Sequence, residues 1–126
     1  MTQLQWWMRG VGVFYILLSL LNVRFLTAPF DVGYGWLIFG LDLAIVGAAL
    51  VAGAQDPQRN RILVQVVLVQ EIIRGIIADI YAIWQGGSLE LYIGFIVVHT
   101  VIIATGIAFS RREVVRRPDM VSAPSS

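Results

Sequence analysis

Five ionisable side chains lie inside long apolar stretches of this 126-residue sequence, and their chemistry sets them apart from the rest of the chain. They are Asp42, Glu71, Arg74, Asp79 and His99. Ionisable groups in apolar helices are costly to bury, so they usually face a polar interior where they pair, relay protons or bind a ligand. We therefore interpret these five residues as a candidate polar pocket.

The stretch around Glu71 has a one-sided pattern. Polar or small residues recur with the period of an α-helix, at Glu71, Arg74, Gly75, Ala78, Asp79 and Ala82. Isoleucines occupy the other side, so we predict that the polar face points inward and the isoleucines face lipid or a neighbouring helix. The spacing of Glu71 and Arg74 also allows an ion pair within this helix.

A second polar stripe occurs in the first apolar stretch, and it supplies three supporting candidates for the pocket. These are Tyr15, Ser19 and Asn22.

Each candidate has a structural and a functional interpretation. The charges around Glu71 either form an internal network that fixes helix register, or line a pocket that binds a substrate or relays protons. His99 is a hydrogen-bonded core histidine, a proton-relay or ligand contact, or a haem or metal ligand. The sequence has no cysteine and one histidine, and no spacing rule supports a metal site. We predict no metal or cofactor.

The composition indicates an integral membrane protein. The chain is 58% hydrophobic and 13% charged, with a mean hydropathy of +0.79, whereas a small soluble domain cannot bury so much apolar surface. A net charge of +1 and the lack of a basic patch argue against nucleic-acid binding. No phosphate-binding loop or hydrolase motif is present, which favours a non-enzymatic protein over an enzyme.

Four apolar stretches approach the length of a transmembrane helix. They cover about residues 6–26, 34–54, 62–84 and 91–110, and connectors with Pro or Gly separate them. We predict an all-α bundle of four transmembrane helices over residues 1–110, followed by a disordered cytoplasmic tail at 111–126. The long apolar core of the first stretch argues against a cleaved signal peptide, and so does the region before that core, whose single charge is Arg9.

The arginines predict the orientation. With four spans, both termini lie on one face, which then holds seven arginines against Arg24 alone on the other. The seven are Arg9, Arg59, Arg61, Arg111, Arg112, Arg116 and Arg117. Because cytoplasmic loops are enriched in positive residues, both termini are predicted to be cytoplasmic.

Several segments resemble the BphX-like family of small bacterial four-helix membrane proteins. They are WWMRGVGVFY (6–15), FGLD (39–42), QEIIRG (70–75) with Asp79, and GFIVVH (94–99). The chain is also loosely similar to DoxX-like membrane proteins, some of which serve quinone-linked oxidoreductases. The resemblance implies a four-helix architecture in the bacterial inner (plasma) membrane. It transfers no catalytic residue.

Three functional hypotheses follow. The first is a non-enzymatic accessory or interaction protein with structural buried charges, which acts as a homo-oligomer or with a partner membrane subunit. The second is a binder or transporter of a small aromatic or organic anion, which would use Glu71, Arg74, Asp42 and His99. The third is a membrane subunit of a quinone-linked oxidoreductase. A dual-topology multidrug exporter is disfavoured, because the arginine bias is strong and the first span has no acid.

Overall fold

The computed structural model describes residues 1–21 and 29–116, and these residues form helices and short turns without a β-strand. The elements are α1 (Gln3–Leu21), α2 (Phe30–Gly53), α3 (Arg61–Gln70), a π-helix named π1 (Glu71–Ile77), α4 (Ala78–Trp84) and α5 (Leu89–Arg116). Because α3, π1 and α4 follow one another without a break, residues 61–84 form one helical segment. The prediction of an all-α fold is confirmed.

Two helix ends differ most from the predicted spans. α2 begins at Phe30, directly after Pro29, so Gly33 lies inside the helix and not in the connector. The Gly33 N–H donates to the Pro29 carbonyl at 2.8 Å, which closes the first helical turn. α5 continues beyond Ser110 to Arg116, so the predicted disorder is wrong for residues 111–116; the next helix-breaking residue in the sequence is Pro118.

Some predictions fall outside the described residues. These are the end of the first span at 22–26, with Arg24, and the part of the predicted tail at 117–126.

The chain forms two compact units, and the first is Gln5–Leu63. In this unit α1 and α2 approach most closely at Gly12 and Gly47. A Cβ atom added to Gly12 would lie 2.7 Å from the Gly47 carbonyl oxygen, and one added to Gly47 would lie 2.6 Å from the Gly12 oxygen. Small residues therefore bring the two backbones together, as they do between helices in lipid.

The second unit comprises Met1–Leu4 and the chain from Val64 onward. Here the helical segment 61–84 turns back into α5 through residues 85–88. Gly86 has φ +90°, a left-handed conformation that favours glycine and ends α4. At the other end of α5, Arg112 Nη1 donates to Gln3 Oε1 at 3.0 Å.

Three of the described helices are long and apolar enough to cross a membrane. They are Gln3–Leu21, Gly33–Gly53 and Leu89–Val115. The third predicted span, 62–84, is not among them, because every stretch of 18 residues within 61–84 contains three charged side chains.

Candidate functional site

Two acidic residues of the helical segment 61–84 are buried. Glu71 is 4% exposed and Asp79 is 8% exposed, and Gly75 between them is also buried. The isoleucines Ile72, Ile73, Ile77 and Ile80 are exposed. The predicted division into a polar inner face and an outer isoleucine face is therefore correct at these positions.

The predicted inner stripe is wrong for Arg74 and Ala78, which are both exposed. The π-helix gives the physical reason. Its i→i+5 hydrogen bonds widen each turn beyond that of an α-helix, so residues four apart come closer to alignment and residues three apart move away from it. Glu71, Gly75 and Asp79 then share the buried stripe, whereas Arg74 does not.

His99 of α5 brings the two buried acids together. Its Nδ1 atom lies 2.5 Å from Glu71 Oε2, within hydrogen-bond distance. Its Nε2 atom faces Asp79 Oδ2 at 3.7 Å. Both nitrogens of one imidazole thus face carboxylates, and we name this group the Glu71–His99–Asp79 centre.

Gly75 makes room for the His99 ring. A Cβ atom added to Gly75 would overlap the ring, at 2.7 Å from Nδ1 and 2.8 Å from Cδ2. Real Cβ atoms essentially never approach other atoms so closely, so any larger residue would displace the imidazole. The absence of a side chain at Gly75 therefore lets α5 lie close enough for His99 to reach both acids.

The centre is incompletely bonded on the Asp79 side. Asp79 Oδ2 is buried and has no hydrogen-bond partner among the described residues. The 3.7 Å separation from His99 Nε2 exceeds hydrogen-bond length. Buried carboxylate oxygens are usually paired, so this oxygen calls for a physical explanation.

Asp42, Tyr15 and Ser19 belong to the compact unit Gln5–Leu63, whereas the centre belongs to the other unit. Asp42 is half-buried on α2 and Tyr15 is buried on α1, both in the unit Gln5–Leu63. The Ser19 hydroxyl donates to a carbonyl of its own helix, that of Ile16, at 2.6 Å. Asn22 lies outside the described residues. Convergence of Asp42 with the acids around His99 remains a prediction.

The chemistry open to the centre is proton binding and hydrogen bonding. Within residues 1–21 and 29–116, no group of three or more His, Asp or Glu side chains is arranged to hold a metal ion. The Glu71 and His99 atoms already bond directly to each other. The sequence predicts all three residues as candidates, but no pattern in a single sequence pairs Glu71 with His99.

Comparison with known proteins places this site in a family. The sequence model described as BphX-like matches residues 30–116, which include all three residues of the centre. The chain belongs to the BphX-like family. No solved structure matches it.

Two relatives carry the same family description. They are an uncharacterized BphX-like protein of Burkholderia cepacia and another of Paraburkholderia xenovorans (strain LB400). Each is 34% identical to this BphX-like chain over 73 residues, which cover 57% of the chain and 52% of the relative. The chain therefore spans about half the length of the curated relatives that it matches.

Proposed function

We propose that this BphX-like chain is an integral protein of the bacterial inner membrane with a non-enzymatic accessory or interaction role. One observation carries the membrane assignment, namely that large apolar side chains are exposed while acids are buried. Ile45 is 68% exposed and Val97 is 56% exposed, whereas Glu71 is 4% exposed. This distribution suits a protein surrounded by lipid, whereas it would make a soluble protein prone to aggregation.

The same proposal includes residues 61–84 as a fourth span. The charges in its interior, Glu71, Arg74 and Asp79, would normally argue against insertion, because each costs several kcal/mol at membrane depth. Two of them, Glu71 and Asp79, are buried within the protein and face His99. Contact with the imidazole lowers the cost of holding these acids away from water.

We further propose that both termini are cytoplasmic. The arginine bias supports this orientation. The hydrogen bond from Arg112 to Gln3 supports placing both termini on one face, because it joins the end of α5 to the beginning of α1. An even number of spans would place both termini on the same face of the membrane.

The proposed accessory role rests on the structural contact that Glu71 makes. Its carboxylate bonds to His99 on the neighbouring helix, so it serves to fasten π1 to α5. A buried acid occupied in this way is a part of the framework. The chain would then act through its outer surface, against a second copy or a partner membrane subunit.

Native mass spectrometry tests this role. The chain is extracted from its host membrane into lipid nanodiscs and weighed intact. The accessory role predicts a complex of fixed stoichiometry, containing either a second copy or one partner subunit. A monomer that carries a stoichiometric small molecule would contradict it.

A second candidate function is a small-molecule binder or transporter. The unpaired, buried Asp79 Oδ2 favours this function, because a ligand group could complete its bonding. In the same mass measurement, a bound mass that disappears in His99→Ala, while lipid adducts persist, would support this candidate.

A further inference from the structure

The hydrogen bonds of His99 determine how many protons the Glu71–His99–Asp79 centre must hold for both carboxylates to face a protonated ring nitrogen. Ionised carboxylates only accept hydrogen bonds, and a neutral imidazole carries one N–H. If the Nδ1–H donates to Glu71, then Nε2 presents a lone pair to Asp79 Oδ2, 3.7 Å away. Two acceptors then face each other across this gap, and Asp79 Oδ2 has no hydrogen-bond partner among the described residues.

The charge of that state is also unfavourable. With a neutral imidazole and two ionised acids, the centre holds two negative charges, although Glu71 and Asp79 are both buried. Buried charges are expensive unless they are paired and hydrogen-bonded. One additional proton on Nε2 lowers the net charge to one negative and places a positively charged ring within ion-pair distance of Asp79 Oδ2, at 3.7 Å.

We propose that the gap between His99 Nε2 and Asp79 Oδ2 is a proton-binding site. The bound proton comes from water as hydronium, forms the Nε2–H bond and leaves a water molecule behind. The occupied centre is an imidazolium held between two carboxylates. This site goes beyond the accessory role, for which the bond between Glu71 and His99 is sufficient.

The surroundings indicate which edge of the centre exchanges protons. The Glu71 side chain is 4% exposed, whereas those of Asp79 and His99 are 12% and 27% exposed. Asp79 also lies nearer to the 85–88 turn, where the helix ends. Arg74 and Glu90 are exposed, and an acid lies against each nitrogen of the His99 ring. Exchange therefore occurs on the Asp79 side.

The sequence allows a direct test, because His99 is its single histidine. The protein is labelled with ¹⁵N-histidine, purified without a histidine tag and studied by NMR in lipid nanodiscs. At about pH 6 we expect both ring nitrogens of the parent protein to be protonated. In Asp79→Asn we expect Nδ1 to stay protonated, while the ratio of protonated to unprotonated Nε2 falls by about tenfold or more. The exposed acid of α5 provides the matched control, Glu90→Gln, which should resemble the parent.

Two results would overturn the proposal. One is an Nε2 atom that stays unprotonated in the parent from about pH 5 to pH 8, the range in which histidine normally titrates. The other is the same Nε2 occupancy in Asp79→Asn as in the parent. If Asp79→Asn does not fold, a pH series on the parent decides instead. The proposal then requires that Nε2 loses its proton while Nδ1 keeps its own, and the reverse order would contradict it.

Discussion

At the scale of single residues, the main finding is that His99 joins two buried acids. The sequence predicts which residues matter, because Glu71, Asp79 and His99 are ionisable groups in apolar stretches. It does not predict their pairing. Spacing along one helix suggested Arg74 as the partner of Glu71, whereas the bond to His99 joins residues on two helices and depends on how those helices pack.

Removal of Glu71 should destabilise the protein strongly. Glu71→Ala leaves His99 Nδ1 without its acceptor and opens a gap at a buried position. We expect the free energy of unfolding to fall by about 3 kcal/mol, at the low end of values for broken buried pairs. Denaturation in detergent micelles measures this change.

Glu90→Ala is the matched control for Glu71→Ala. It removes an acid of the same type from an exposed position on α5. Surface substitutions of this kind change stability by about 0.5 kcal/mol or less. Equal stabilities for the two variants would mean that Glu71 does not hold π1 to α5.

At the scale of the elements, the helices themselves follow from apolar runs and from breakers such as Pro29 and Gly86. The π-helix is not predicted by the sequence, because a helical stripe is recognised by assuming the α-helical period of 3.6 residues. That period placed Arg74 beside Glu71 on the inner face. The wider turn of π1 instead aligns Glu71 with Gly75, and both are buried.

Gly75→Ala tests the close packing of π1 against α5. The added methyl group overlaps the His99 ring, so the ring must move away from Glu71. We expect a loss of about 1–3 kcal/mol, which is typical of overpacking. Gly94→Ala on α5 is the control, since a Cβ atom there meets nothing within 4 Å. Its stability should equal or exceed that of the parent, because alanine favours helix.

An analogous pair of variants tests the contact between α1 and α2. Gly12→Ala would press a methyl group onto the backbone of Gly47, so we expect a loss of about 1–3 kcal/mol. Gly10→Ala lies on the same helix and meets nothing within 4 Å. If Gly12→Ala melts at the same temperature as Gly10→Ala, the two helices do not approach closely at this point.

At the scale of the whole molecule, composition is the most informative property of the sequence. A chain with 58% hydrophobic residues points to a membrane, and three of its helices are suited to cross one. Four spans depend on residues 61–84, which composition alone does not establish. The charges of this segment require internal partners, and a partner on another helix is invisible until the helices are packed.

The most direct test of the account asks whether residues 61–84 cross the membrane. The chain has no cysteine, so a single introduced thiol reports its own location. Gln58→Cys and Gln85→Cys place exposed thiols before and after this segment. Intact bacterial cells, with the outer membrane permeabilised, are treated with a membrane-impermeant maleimide. We predict that Gln85→Cys is labelled from outside, whereas Gln58→Cys is labelled only after lysis. Labelling of both thiols from the same side would contradict a fourth span and the membrane-buried centre built on it.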